Sequence, residues 1–289
     1  MQNEAATVAT DDKVRFINLL AAAGFEMIEA TSFVHPKAIP QLADADQVFQ
    51  SIEKRPGVRY PVLVPNLRGL ERALQAGVRE IAVFTAATDS FNRHNINADI
   101  QESFANIAQV MQAARRERLW ARGYISVCFG CPYEGDVPPA RVVGLTLRLA
   151  DLGVDEIGLG DTIGVATPAG VDHVLESALE RVPPERLGLH FHDTRGTALA
   201  NVLRAMQLGC AVFDASAGGL GGCPYAPGAA GNLATEDLLY MLQGMGIDTG
   251  VDLAKVMEAS SFIAERLGRP LTSKVYQAEQ AARPASASG

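Results

Sequence analysis

The sequence predicts one α/β domain in which parallel strands alternate with helices, as in a TIM or (β/α)₈ barrel, with the first barrel strand missing. The 289 residues are 48% hydrophobic, which suits one large domain with a full core. Short apolar segments alternate with amphipathic ones about every 30 residues, a spacing typical of repeated strand–helix units in a parallel sheet. No G-x-G-x-x-G turn follows the first predicted strand, so an open doubly wound sheet fits less well.

Seven strands are expected from short apolar runs that resemble buried strands. They cover residues 27–33, 60–65, 80–87, 120–128, 156–162, 187–192 and 211–217. A barrel of this type closes with eight strands, yet the chain opens on a loop and a helix. We therefore expect seven barrel strands in this chain and the absence of the first one.

Helices are expected between these strands and after the last one, where apolar residues recur at helical spacing. The first covers 11–23, with Thr10 or Asp11 as its cap and Gly24 at its end. The others fall in the forties and over 67–76, 100–118, 138–152, 168–182, 195–208, 233–244 and 252–267. We expect one barrel domain over residues 1–280 and a disordered Ala/Ser-rich tail over 281–289.

Charge and composition exclude several classes of protein. The net charge of -8 disfavours nucleic acid or an acidic membrane as a partner. No apolar run approaches the ~18 residues of a membrane helix, and the start lacks the pattern of a signal peptide, so a cytoplasmic protein is expected. Cys128 and Cys131 have the C-x-x-C spacing of a redox or zinc pair, but the second pair of a zinc ribbon is absent from the sequence.

The stretch 219–232 reads Gly-Leu-Gly-Gly-Cys-Pro-Tyr-Ala-Pro-Gly-Ala-Ala-Gly-Asn. Glycines permit positive φ, and Pro224 and Pro227 restrict φ, so this run suits neither a helix nor a regular strand. A flexible linker would be richer in Ser. We interpret the stretch as a shaped loop that follows the last strand, holds the Cys223 thiol over a cavity and ends at Asn232.

Active sites of these barrels lie at the carboxyl ends of the strands, where two histidines stand out. His190 and His192 are two residues apart on a predicted strand, so both imidazoles lie on one face. Two neutral imidazoles on one face favour a metal site, and Asn232 can add a carbonyl oxygen. Such ligands without thiolate suit a divalent cation such as Mg²⁺, Mn²⁺ or Zn²⁺.

Three further residues are candidates for the chemistry. Glu29 and Asp161 are acidic residues in apolar strands, where a carboxylate needs a partner or a ligand. Each could line the site, or could instead cap backbone groups or pair with an arginine. Cys223 could act as a nucleophile or in proton transfer, and proton transfer beside a metal-bound substrate fits better because no Ser-His-Asp or papain-like pattern accompanies it.

With these motifs, residues 1–280 resemble the 3-hydroxy-3-methylglutaryl-CoA lyases of the DRE-TIM metallolyase superfamily. The 219–232 loop carries the most specific part of the resemblance, whereas the two-histidine motif is common to the superfamily. The remaining matching segments are Glu29-Ala-Thr-Ser-Phe-Val, Tyr60-Pro-Val-Leu-Val-Pro-Asn-Leu, Gly130-Cys-Pro-Tyr-Glu-Gly, Gly160-Asp-Thr-Ile-Gly-Val and His190-Phe-His-Asp-Thr.

The resemblance implies a (β/α)₈ barrel that uses Mg²⁺ or Mn²⁺ to cleave 3-hydroxy-3-methylglutaryl-CoA to acetoacetate and acetyl-CoA, in leucine degradation and ketone body formation. It implies that His190, His192 and Asn232 are metal ligands and that Cys223 is the catalytic cysteine. It further implies that Glu29 and Asp161 line the site, that the partner is an acyl-CoA substrate, and that the chain forms a homodimer.

The chain departs from the family at its start. The family begins with a strand that ends in Arg-Asp-Gly-Leu-Gln-Asn-Glu, whose Asp is a metal ligand and whose Arg stabilises the enolate. Here Met1-Gln2-Asn3-Glu4 stands where the family has Leu-Gln-Asn-Glu. One explanation is a misplaced translation start and a longer, active protein; the other is a truncated barrel with little activity.

Two other functions stay open at this point. A condensing synthase or aldolase of the same superfamily, acting on a 2-oxo acid, would use the same two-histidine strand, although the Cys223 loop argues against it. A lyase for related 3-hydroxyacyl-CoAs is a close variant. An inactive remnant would bind metal or acyl-CoA without turnover, and would show stabilisation by ligand but no acetoacetate.

Overall fold

The computed structural model describes residue 4 and the ranges 6–222 and 231–282. In these ranges seven strands form one parallel sheet, in which each strand pairs with the next along the chain. They are β1 (Thr31–Ser32), β2 (Val62–Leu63), β3 (Glu80–Ala86), β4 (Trp120–Ser126), β5 (Glu156–Asp161), β6 (Leu187–Phe191) and β7 (Val212–Asp214). The predicted fold class and its seven parallel strands are thus confirmed for the described ranges, where β1 and β7 are the edge strands.

Helices connect the strands and cover the outer face of the sheet. The described ranges contain α1 (Thr10–Ala22), α2 (Ala45–Ser51), α3 (Leu67–Gln75), α4 (Asp89–Ile96), α5 (Ile100–Arg116), α6 (Pro139–Asp151), α7 (Pro168–Leu179), α8 (Ala198–Gln207), α9 (Thr235–Gly244), α10 (Leu253–Leu267) and α11 (Lys274–Ala282). Most agree with the predicted helices to within a few residues, because an apolar face at helical spacing is a local signal.

The first two strands are shorter than predicted. Pro61 has no N–H to donate, so the ladder of backbone hydrogen bonds is interrupted at this residue. Pairing nevertheless begins earlier, at an isolated bridge between Met27 and Arg59, and Ala30 N–H donates to the Pro61 carbonyl at 3.0 Å. Glu29 therefore lies in an extended segment directly before β1.

Two helices, α4 and α11, are missing from the sequence prediction. Helix α4 is short and polar, and it begins where the Thr88 side chain accepts a hydrogen bond from the Phe91 N–H. Helix α11 begins where the distant Asp237 carboxylate accepts the N–H groups of Lys274 and Val275, a contact that only the fold creates. This helix passes the predicted start of the tail at residue 281, and residues 283–289 lie outside the described ranges.

The core lies between the sheet and the surrounding helices. Every residue of β5 is buried, as expected of a strand at the centre of a parallel sheet. A second apolar cluster packs α1 against α10 and the segment before α11, through residues such as Phe16, Ile263 and Leu271. Among the helices of the described part, none is both long and apolar enough to cross a membrane.

Candidate active site at the carboxyl ends of the strands

The structure brings the two predicted histidines together. His190 is part of β6, and His192 follows the strand directly. Their ring centroids are 5.2 Å apart, and His192 is only 5% exposed. Burial, and next the neighbouring His190, lower the pKa of His192 to about 3. The His192 imidazole is therefore neutral, with a lone pair that can bind a cation.

Asn232 lies beside His192, because the backbones of the two residues form an isolated antiparallel bridge. The Asn232 Nδ2 donates a 2.8 Å hydrogen bond to the Leu220 carbonyl, which orients the amide. Gly221 leaves room for this arrangement, since a Cβ at that position would lie 2.5 Å from Asn232 Nδ2. The oxygen of the same amide is the atom that can serve as a ligand.

The donor groups of these three residues fit a divalent cation. In the described part of the chain, His192 Nδ1 is buried without a hydrogen-bond partner, which is uncommon for a buried polar atom unless a water molecule or an ion satisfies it. Two imidazoles and an amide oxygen suit Mg²⁺, Mn²⁺ or Zn²⁺. Among the described residues, no group of three or more His, Cys, Asp and Glu side chains is placed to hold a metal, so an ion held here would need further oxygen ligands.

Two charged residues that were not predicted from the sequence belong to the same site, since Asp214 contacts His190 and Arg122 contacts Asp214. Asp214 ends β7 and is in register with His190; its Oδ2 is 3.3 Å from His190 Nδ1. Its Oδ1 accepts a 2.8 Å hydrogen bond from Arg122 Nη1. Burial alone would raise the pKa of Asp214, but the Arg122 guanidinium and His190 outweigh burial and lower it to about 2. Asp214 is therefore an ionised, partly buried acceptor.

Arg122 is held inside the barrel by the shapes of the neighbouring strands. Its guanidinium is 4.7 Å from the centre of the Tyr124 ring, and its Nε is 2.9 Å from Glu156 Oε1. A Cβ on Gly188 would lie 2.2 Å from Arg122 Nη2, and one on Gly158 would lie 2.5 Å from Tyr124. A charged residue in an apolar strand, with glycines in the two following strands, is the signal that could have revealed it.

Glu29 lies on the same interior side and contacts Tyr124. The Tyr124 hydroxyl donates to Glu29 Oε2 at 3.1 Å. Solvent reaches the Glu29 side chain, yet surrounding protein desolvates the carboxyl, and this effect together with the charge of Asp214 raises its pKa. Glu29 is thus an accessible carboxyl with an elevated pKa, a property typical of proton-transfer groups.

Asp161 is fully buried at the end of β5. Its two carboxyl oxygens accept hydrogen bonds from the backbone N–H groups of Val165 and Ala166, at 2.9 and 3.1 Å. Burial raises its pKa to about 6 against the effect of these hydrogen bonds. Asp161 therefore caps backbone N–H groups, one of the roles that the sequence left open, and it shapes the turn that follows β5.

Cys223, predicted from the sequence as the catalytic cysteine, lies outside the described residues. The two cysteines of the C-x-x-C motif are free and buried. The Cys128 thiol donates to the Ile125 carbonyl, and Cys131 Sγ lies 3.1 Å from Thr88 Oγ1. The two cysteines are therefore separate thiols, and each makes its polar contact with a different residue.

A parallel β/α barrel with polar side chains gathered at the carboxyl ends of its strands is the arrangement of TIM-barrel enzymes. The model of the HMGL-like family matches residues 1–263. The chain belongs to this family.

Individual relatives agree with that assignment. The rat protein named 3-hydroxy-3-methylglutaryl-CoA lyase, cytoplasmic, is 52% identical over 283 residues, which cover 98% of this chain and 82% of the relative. The crystal structure of hydroxymethylglutaryl-CoA lyase from Pseudomonas aeruginosa superposes with a TM-score of 0.95 at 47% identity, covering 98% of this chain and 94% of that one. A structure of an HMG-CoA lyase from Acinetobacter baumannii, in complex with coenzyme A and 3-methylmalate, has a TM-score of 0.92 at 39% identity and covers 99% and 92% of the two chains.

Proposed function

We propose that this chain is a lyase that uses Mg²⁺ or Mn²⁺ to cleave 3-hydroxy-3-methylglutaryl-CoA to acetoacetate and acetyl-CoA. The observation that carries the proposal is the 52% identity over 98% of the chain to a rat protein named for this activity. The convergence of His190, His192 and Asn232 at the carboxyl ends of the strands supports it, because the reaction needs oxygen atoms of the substrate to be polarised.

The reaction is a retro-Claisen cleavage that needs no oxidant or second substrate. The proton of the tertiary hydroxyl is removed, the bond between C2 and C3 breaks, and its electron pair remains on the acetyl-CoA fragment as an enolate. Uptake of one proton by that carbon completes acetyl-CoA. In this proposal His190, His192 and Asn232 would hold the cation, which when bound would supply Lewis-acid polarisation of the substrate oxygens.

The contacts of the two carboxyl groups favour different roles for them. Glu29 is accessible, has a raised pKa and accepts one hydrogen bond from Tyr124, so we assign it the removal of the hydroxyl proton. Both oxygens of Asp161 accept hydrogen bonds from backbone N–H groups. We therefore propose that Asp161 maintains the shape of the wall of the site. We assign Cys223 the delivery of the proton to the acetyl-CoA carbon.

The experiment is to incubate the 289-residue chain with 3-hydroxy-3-methylglutaryl-CoA and Mg²⁺ or Mn²⁺, and to quantify acetoacetate and acetyl-CoA. We expect both products in equal amounts, formed slowly because the Arg and Asp that end the family's first strand are absent from these 289 residues. Both products should be lost with a chelator and in His192→Ala. Asp172→Asn is the matched control, because Asp172 pairs with Arg204 on the outer helices. Formation of a condensation product from acetyl-CoA and a 2-oxo acid, with no acetoacetate, would reject the proposal.

The setting of the enzyme is part of the same proposal. We place it in the cytoplasm, in leucine degradation and ketone body formation, as a homodimer that binds acyl-CoA. Support comes from the rat relative, whose name includes "cytoplasmic", and from the relative whose structure contains coenzyme A. Sedimentation of the purified chain measures its oligomeric state, and a monomer at micromolar concentration would reject the proposed homodimer.

A further inference from the structure

We propose that Asp214 and Arg122 are positioning residues, which fix the ring orientation of His190 and place its proton on Nδ1. The lone pair used for ligand binding would then be on Nε2. The role in cation binding rests on the proposed function, whereas the position of the proton can be measured without any cation.

The contact between His190 and Asp214 decides which nitrogen carries the proton. A carboxylate is only an acceptor, so a neutral His190 can bond to Asp214 only by donating a proton from Nδ1. The 3.3 Å distance joins His190 Nδ1 to Asp214 Oδ2. Metal-binding histidines commonly donate their second nitrogen to a carboxylate in this way, which sets both the tautomer and the ring orientation.

Arg122 keeps the Asp214 carboxylate in place. The guanidinium is 3% exposed and lies between two carboxylates, with Nη1 2.8 Å from Asp214 and Nε 2.9 Å from Glu156. The backbone of Gly188 closes the remaining side, since a Cβ there would lie 2.2 Å from Arg122 Nη2. An arginine enclosed by these groups cannot turn away, so Asp214 stays aimed at His190.

His192 provides the contrast within the same site. Its Nδ1 has no hydrogen-bond partner in the described ranges, whereas His190 Nδ1 has the Asp214 carboxylate. The two imidazoles are therefore oriented by different means: His190 by a side-chain partner, and His192 by burial and by the backbone bridge to Asn232.

The first test is nitrogen-detected NMR of the metal-free chain with ¹⁵N-labelled histidine. The sequence has five histidines, and the His190 signals are identified by their loss in His190→Gln. At a pH where the His190 ring is neutral, we expect the proton on Nδ1. Asp214→Ala should shift the ring toward a mixture or toward the Nε2–H form, while Asp172→Ala should leave it unchanged.

Either of two results would overturn the positioning role: a His190 proton on Nε2 in the unaltered chain, or the same Nδ1–H form in Asp214→Ala. The unaltered chain is informative by itself, so the test stands even if Asp214→Ala fails to fold.

The second test is the affinity for Mn²⁺, measured from the electron paramagnetic resonance signal of the free ion. Asp214→Ala should weaken binding by roughly 10–100-fold, and Asp172→Ala should not change it. Equal affinities in the two variants would contradict a role of Asp214 in cation binding. No Mn²⁺ binding by the unaltered chain would instead reject the proposed cation site, and the NMR result would still decide how His190 is oriented.

Discussion

Gly188 illustrates how the absence of one side chain lets a charged residue occupy the barrel interior. A Cβ at this position would lie 2.2 Å from Arg122 Nη2, so Gly188→Ala should displace the guanidinium from Asp214. We expect the free energy of unfolding to fall by about 2 kcal/mol or more, because overpacking is combined with a disturbed buried ion pair. Urea denaturation measures the change.

Gly144→Ala is the matched control for that substitution. Gly144 lies inside α6 and has open space around its missing Cβ, so alanine should raise the free energy of unfolding by up to about 1 kcal/mol. If both alanine variants are equally stable, the close approach at Gly188 does not constrain Arg122.

Asp161 should make stability depend on pH. Its pKa rises from 3.8 to about 6 on folding, so the folded state binds the proton more tightly than the unfolded state does. Relative to Asp161→Asn, the stability of the unaltered chain should therefore be greatest below about pH 4 and fall as the pH rises through about 6, by about 3 kcal/mol in total. Urea unfolding of both proteins at about pH 4 and about pH 7 tests this. If the two proteins differ in free energy of unfolding by the same amount at both pH values, the prediction is wrong.

At the scale of elements, α5 shows how a local signal begins a helix. The Asp99 side chain accepts the Glu102 N–H, and the Glu102 side chain accepts the Asp99 N–H, both at 2.9 Å. Asp99→Ala should lower the free energy of unfolding by about 1 kcal/mol. Asp99→Asn should leave the free energy of unfolding nearly unchanged, because Asn is an equally good cap. Thermal denaturation separates the two variants, and equal melting temperatures would count against the cap.

At the scale of the whole molecule, the proposed cation site should be linked to stability. An ion that binds only the folded chain stabilises it by about 2.7 kcal/mol at 100 times its dissociation constant. We expect Mn²⁺ to raise the melting temperature of the chain and of Asp172→Asn, but not of His190→Ala or His192→Ala. A chelator should reverse the shift. An equal shift in all four proteins would show that the ion binds elsewhere.

The sequence by itself determined the barrel class, its seven strands and the pairing of His190 with His192. These features are local: alternation of strand and helix follows from apolar periodicity, and residues two apart in an extended segment share a face. Because polar residues at strand ends meet at one end of a parallel barrel, the position of Asn232 could also be expected.

Only the tertiary structure decided what surrounds those residues. Arg122 and Asp214 are 92 residues apart in the chain, and their contact depends on the register of strands that are not neighbours. Asp161 could have faced the site or the backbone, and the turn after β5 placed two N–H donors on its oxygens. Periodicity assigns a residue to a face, but its partners depend on how several strands align, and no single stretch of sequence contains that information.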